Sequence, residues 1–312
     1  MTSSQNKPIS AGSQDNSATA PCEAGGRHGS AYRIADVVEV HPARCDEVPV
    51  LLSSPHSGRH YEPELCDQTM QPHLLLRRSE DAYVDQLIET APDWGAMTVS
   101  ALFPRVFVDV NRARWELDPD MFRERLPDYV DTQSPRALSG LGVVPRIAAD
   151  GRPLYRSRLR FSEVERRIAQ YYTPYHDTLT QELERLKNRF GFVILLDVHS
   201  MPSRSARGLD FVLGDRHGQS CSPELVSACE TLLRAREFVT VRNTPYAGGH
   251  TTEAYGRPDQ GVHVLQLEIN RGLYLDENQV VMRSVATRFC DEFPNFIKDF
   301  CQFDWTQHLS SY

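Results

Sequence analysis

A chain of 312 residues with 40% apolar and 24% charged side chains has ordinary globular composition and enough apolar material for a core. Its net charge of −8 disfavours nucleic acid or an anionic membrane as partner, and no run of about 18 apolar residues or basic-then-apolar N-terminus is present, so a soluble, cytoplasmic protein is expected. The seven cysteines are scattered and contain no Cys-x-x-Cys pair, which argues against a disulfide framework and against a thiolate zinc site.

Residues 1–31 are rich in Ser, Gly, Asn, Gln and Ala and cannot bury enough surface to offset their ordering entropy, so they read as a disordered tail before one folded domain over 32–312. RIADVVEV, after Tyr32, reads as a first strand. Residues 48–52 read as a second, and it runs into Ser53-Ser54-Pro55-His56-Ser57-Gly58. Ser79 then stands as N-cap of a helix over SEDAYVDQLIET. Glu80 and Asp81 in its first turn are accounted for either by the helix dipole or by metal binding. Residues 97–103 and 105–110 are strand-like, split by Pro104, and the second run leads to Asn111-Arg112-Ala113-Arg114. The Pro- and Gly-rich stretch 116–155 reads as a long excursion and not a second domain, and the idiosyncratic segment 112–140 is expected to shape the substrate mouth. A helical pattern begins at Ser162, is expected to kink at Pro174, and stops at Gly191.

Residues 193–202, VILLDVHSMP, form the centre of the pattern. The apolar run suits a strand covered on both faces, and it ends in Asp197-Val198-His199-Ser200. Open α/β sheets place ligands beyond the C-terminal ends of their central strands, and Asp197 and His199, two apart, share a face. The carboxylate can therefore orient the imidazole, or both can meet one ligand. DFVLG, a helix around PELVSACETLLRA, a strand FVTVR and the Gly-rich PYAGGHTTEAYG follow. VHVLQLEI over 262–269 then reads as a strand ending at Glu268-Ile269-Asn270-Arg271, and a last helix is expected over 277–300. Interleaved strands and helices point to an α/β sandwich with one sheet.

Three strand ends thus carry His56, His199 and Glu268, and the expected helix start carries Glu80 and Asp81. Two imidazoles and a carboxylate are the usual protein ligands of a catalytic zinc, and a further unligated glutamate serves as base. Glu268 suits that role, since a carboxylate on a buried strand is expensive without one; a salt bridge to Arg271 is the structural alternative. His60, His73, His217, His250 and His263 are ligands by type only, and His176 in a helix reads as structural.

The pieces SPHSG at 54–58, DAYVD at 81–85, PRVFVDVNR at 104–112, YTPYH at 172–176, LLDVHSMP at 195–202, GDRHG at 214–218 and LQLEINRGLY at 265–274 together resemble the N-formylglutamate amidohydrolases. That family is related to the zinc carboxypeptidases and aspartoacylase. The resemblance spans residues 48–276 and implies a three-layer α/β sandwich with a central mixed sheet, phosphorylase/hydrolase-like. It also implies Zn2+, or another divalent metal, held by His56, a carboxylate at 80–81 and His199, with Glu268 as general base. Matching DAYVD to the family pattern selects Asp81 as that carboxylate, with Glu80 as the alternative. Asn111-Arg112 is similar to the carboxypeptidase Asn-Arg pair that holds the substrate's α-carboxylate, and Arg105 to the arginine that polarises the scissile carbonyl. One departure stands out: carboxypeptidases take two ligands from His-x-x-Glu, whereas Arg59 occupies the third position after His56. The implied reaction is metal-dependent hydrolysis of N-formyl-L-glutamate to formate and L-glutamate, a step of histidine degradation. The alternatives are deacylation of another small anionic N-acyl amino acid, or a non-catalytic binding protein of the same fold.

Overall fold

The computed structural model describes residues 1, 30–283 and 288–309. The tail expected over 1–31 therefore falls almost wholly outside the described residues. Eight strands, β1 (Tyr32–Ile34), β2 (Val38–His41), β3 (Val50–Ser54), β4 (Met97–Ala101), β5 (Val193–Met201), β6 (Phe211–Gly214), β7 (Thr240–Arg242) and β8 (Val262–Asn270), form one sheet in the order β1-β2-β4-β3-β5-β8-β6-β7. The central strands β4, β3, β5 and β8 run parallel, while β1, β2 and β6 pair antiparallel to their inner neighbours, so the sheet is mixed.

Every side chain of β5 is buried, and alternate residues enter different cores. Val193 and Leu195 join one apolar cluster, and Ile194, Leu196 and Val198 join the other. Because successive strand side chains point to opposite faces, the two clusters lie on the two sides of the sheet. The helix Thr173–Phe190 supplies Tyr175, Leu179, Leu183 and Leu186 to the first cluster, at the spacing of one helical face. The helices Pro223–Arg234 and Arg288–Gln302 cover the second, the latter through Phe289, Phe293, Phe296, Ile297 and Phe300. Among the described residues, no helix is long and apolar enough to cross a membrane.

Several local expectations are corrected. RIADVVEV is not one strand, because Ala35 and Asp36 adopt positive φ and fold it into the β1–β2 hairpin. Ser79 does not cap a helix: its hydroxyl accepts from the Ala149 N–H, and the helix begins only at Val84 after Tyr83, whose φ is 66°. Residues 105–110 form buried turns instead of a strand. Asp109 turns inward there to bind His56, and Val106, Phe107, Val108 and Val110 fill the core without a strand partner. The chain before Pro174 passes through a π-helical turn, Ile168–Tyr172, where a kink was expected. Finally, residues 275–282 form a small hairpin, the helix expected over 277–300 is seen as Arg288–Gln302, and a short helix Thr306–Leu309 follows; residues 284–287, within the expected range, lie outside the described residues.

Candidate active site

The parallel order β3-β5-β8 brings three chemical strand ends side by side. His56 follows the end of β3, His199 lies near the end of β5, and Glu268 stands opposite His199 in the β5–β8 register. The same register sets Asp197 opposite Gln266, so these four side chains of β5 and β8 share one face. The loop after β3 leaves the sheet through Gly58, where a Cβ would stand 2.3 Å from the Phe103 carbonyl oxygen. Asp81 is drawn in by its backbone, its N–H donating to the His56 carbonyl at 2.9 Å.

His56, Asp81 and His199, all buried, converge. Nδ1 of His199 lies 3.1 Å from Nδ1 of His56 and 3.1 Å from Oδ2 of Asp81, and Nδ1 of His56 lies 3.3 Å from the same oxygen. The far ring nitrogens are occupied: Nε2 of His56 donates to Asp109 at 2.7 Å and Nε2 of His199 to Asp197 at 2.9 Å. Carboxylates only accept, so these contacts place the ring hydrogens on Nε2 and leave both Nδ1 lone pairs aimed at each other and at a carboxylate oxygen. Such a triangle demands a positive charge at its centre, and donors about 2.0–2.2 Å from one tetrahedral ion stand roughly 3.3–3.6 Å apart, close to the spacing seen. This buried His–Asp–His group could hold a metal.

The surrounding charges are arranged to suit. Burial pushes the Asp81 carboxyl up, but hydrogen bonds with His199 and His56 and the charge of Arg271 outweigh it and hold the group well below the usual range. Arg271 donates to Asp81 at 2.8 Å and to the Ser200 hydroxyl at 3.0 Å. Asp109 likewise stays low despite burial, through Arg105 and Arg112, and Arg105 donates to it at 2.6 Å. For His199, burial lowers the imidazole, yet adjacent Asp197 raises it well above its ordinary value, so a proton and a cation compete for one place.

Glu268 differs from all of these. Burial raises its carboxyl to about 7, with Asp81 adding to the rise and His199, Arg105 and Arg271 opposing it. No guanidinium lies within ion-pair distance of it among the described residues, since Arg271 bonds Asp81 instead. Its described hydrogen-bond partner is Gln266, whose Nε2 donates at 2.8 Å and whose Oε1 is buried with no partner among the described residues. Glu268 and Gln266 line a cavity of about 380 Å3 together with the His–Asp–His group.

The other expected residues are distributed unevenly. Glu80 turns away from the cluster, accepting from the Tyr61 hydroxyl at 2.6 Å and pairing with Arg77. Arg105 and Arg112 both line the cavity, and Arg112 is anchored by the carbonyls of Leu141 and Asn111. Asn111 commits its carbonyl to the Thr251 N–H at 2.8 Å, which turns Nδ2 toward the cluster, 3.3 Å from Nε2 of His199. Among the described residues, His60, His73, His217, His250 and His263 do not join the cluster. His176 is pushed down to about 3 by burial and by His250, and donates to the Val110 carbonyl beside Asn111. Asp109, Gln266, Arg136 and Arg204 were not singled out in the sequence. Asp109 could have been found, since it sits two residues before Asn111 in VDVNR; the arginines carry no local signal.

The sequence profile of the family described as N-formylglutamate amidohydrolase matches residues 48–275. N-formylglutamate deformylase of Pseudomonas aeruginosa is 34% identical over 247 residues, covering 77% of this chain and 86% of that protein. The deformylase of Pseudomonas putida is 32% identical over 251 residues, covering 78% and 86%. The crystal structure of N-formylglutamate amidohydrolase from Ralstonia eutropha JMP134 superposes with a TM-score of 0.81 at 32% identity, covering 86% of this chain and 98% of that one.

Proposed function

Since this chain belongs to the N-formylglutamate amidohydrolase family, we propose that it hydrolyses the formamide bond of N-formyl-L-glutamate to formate and L-glutamate at this cavity. His56, Asp81 and His199 would hold a divalent metal, zinc in the first instance, through two imidazole nitrogens and one carboxylate oxygen. The observation that carries this reading is the triangle of two Nδ1 atoms and one Oδ2 at 3.1–3.3 Å, with both far nitrogens already bonded to carboxylates. When bound, such an ion would acidify water and polarise the formyl carbonyl.

The chain's own residues supply the rest. Glu268, unpaired by any described cation and raised to about 7, takes a proton from the attacking water and returns it to the leaving nitrogen. Gln266 fixes the Glu268 carboxylate through one oxygen and leaves the other available. Arg105, held by Asp109, stabilises charge on the carbonyl oxygen. Arg112 and Nδ2 of Asn111 hold the α-carboxylate, the guanidinium being oriented by its two backbone acceptors.

The test is a panel of N-formyl and N-acetyl amino acids assayed after metal reconstitution, with elemental analysis of the same preparations. N-formyl-L-glutamate is expected as the best substrate, and His199→Ala should lose both bound metal and activity. Full metal stoichiometry in that variant defeats the ligand assignment, and preference for an N-acetyl substrate defeats the deformylase reading.

A further inference from the structure

The candidate cavity is ringed by five arginines, Arg105, Arg112, Arg136, Arg204 and Arg271. Three are committed to the protein: Arg105 to Asp109, Arg271 to Asp81 and Ser200, and Arg112 to two backbone carbonyls. Arg136 and Arg204 make no side-chain hydrogen bond or ion pair among the described residues. Arg136 belongs to the same corner as Arg112. Its carbonyl accepts from the Leu141 N–H at 2.9 Å, and the Leu141 carbonyl accepts from Nε of Arg112 at 2.9 Å.

The helical turn Pro135–Leu138 that presents Arg136 is well anchored for so short an element. The Ser134 hydroxyl caps it by accepting from the Ala137 N–H, and donates to Glu116 at 2.5 Å. Asp131 accepts from the N–H groups of Gln133 and Ser134. The corner also carries surplus positive charge. Asp109 is shared among Arg105, Arg112 at 3.8 Å and His56, and the nearby Glu116 is taken up by Ser134 and the Ala113 N–H. Burial weakens the hold of Arg112 on its proton, Asp109 opposes this, and the charges of Arg105 and Arg136 weaken it further. Two guanidiniums lining one corner of the cavity, with the nearby carboxylates already engaged, suit an anion bound between them.

The geometry points to Arg136 as the residue that makes this site prefer an acidic side chain: it takes the side-chain carboxylate of the N-acyl amino acid while Arg112 holds the α-carboxylate. This rests on the amidohydrolase reading of the cavity. Every N-formyl amino acid carries an α-carboxylate, so Arg112 contributes to all of them alike. Only a side-chain carboxylate engages Arg136, whose planar fork matches it with two parallel N–H donors. The excursion over residues 116–155 thereby acquires a role, since it carries the residue that reads the substrate's far end.

The experiment compares kcat/KM for N-formyl-L-glutamate and N-formyl-L-glutamine, a neutral side chain of nearly the same shape, in the wild-type protein and in Arg136→Gln, Arg136→Lys, Arg204→Gln and Arg112→Lys. Wild type should favour the glutamate substrate. Arg136→Gln should lose roughly 10- to 100-fold on that substrate and little on the glutamine one, with melting temperature unchanged because the side chain is exposed. Arg136→Lys should retain part of the preference, and Arg112→Lys should slow both substrates equally. Equal loss on both substrates in Arg136→Gln, or collapse of the preference in Arg204→Gln instead, overturns the assignment. So does a wild type that hydrolyses both substrates equally well, which leaves the amidohydrolase reading standing. A wild type that hydrolyses neither defeats that reading itself, and this assignment with it.

Discussion

At pH 7 the Glu268 carboxyl, raised to about 7, is only about half ionised in the folded chain, whereas an unfolded glutamate titrates near about 4.3. Between those values the unfolded state releases a proton that the folded state keeps, so rising pH favours unfolding. The sign is opposite to that of Asp81 and Asp109, whose depressed carboxyls add stability above about 4 that is lost as pH falls through their native values. Glu268→Gln should therefore stabilise the metal-free protein by about 1–3 kcal/mol at pH 8 and hardly at all at pH 4. The same change should lower kcat by about 10²–10⁴-fold, because an amide cannot carry the proton. Melting curves at the two pH values and single-preparation kinetics check both halves; a destabilised variant with near-normal kcat shows that the glutamate is structural. Turnover needs the ionised form, so kcat/KM should fall as pH drops through the working value of Glu268, which a bound cation brings below 7. A rate that stays flat from about pH 5 to 8 removes Glu268 from the proton transfer.

Among the elements, the π-helical turn and the loop before residue 250 together hold the Asn111–Arg112 loop. The extra residue of the π turn faces Tyr172 inward, and its hydroxyl donates to the Arg112 carbonyl at 3.0 Å. From the other side Gly249 packs against Asn111, where a Cβ would stand 2.4–2.7 Å from the side-chain amide. Asn111 cannot give way cheaply, because its carbonyl holds the Thr251 N–H and hydroxyl. Gly249→Ala should therefore displace Asn111 and raise KM about tenfold with a smaller change in kcat, since the proton-transferring Glu268 sits on a different strand. Tyr172→Phe, which removes one hydrogen bond to a backbone carbonyl, should raise KM less. Kinetics of the two variants on N-formyl-L-glutamate check the order, and a Gly249→Ala protein with unchanged KM shows that the loop does not position the substrate.

Over the whole molecule, the His–Asp–His group ties the segment after β3, the turn at Asp81 and strand β5 to one point. An ion held there binds the folded chain and not the unfolded one, and so stabilises it by mass action, by about 4 kcal/mol at a thousandfold excess over Kd. Chelation should lower Tm by several degrees and abolish activity, and zinc should restore both. In Asp81→Asn the metal should have almost no effect on Tm, since the amide loses the charge that balances two imidazoles and Arg271. Chelation that removes activity without moving Tm points to a loosely held ion elsewhere.

Strand β5 and its chemistry were legible in the sequence because a strand buried on both faces must be apolar, so Asp197 and His199 stand out against it. The same holds for Glu268 on β8, and ordered motif pieces over most of the chain pointed to the family. Interleaved apolar runs likewise sufficed for an α/β sheet. Strand order was decided by tertiary structure alone, and it is strand order that sets His199 opposite Glu268. Local capping rules put Glu80 and Asp81 in one helical turn and only the family resemblance selected Asp81; in the fold the Asp81 N–H bonds the His56 carbonyl and its carboxylate meets the histidines, while Glu80 meets Tyr61 and Arg77. The run 105–110 misled because burial alone, without a strand partner, also selects apolar residues. Arg136 had no signal, since an arginine at the edge of an irregular excursion looks solvated until folding places it beside Arg112. Hydrophobic periodicity reports which side chains leave water; where a charged one meets its partner depends on contacts between residues far apart in the chain, and these exist only once the sheet is assembled.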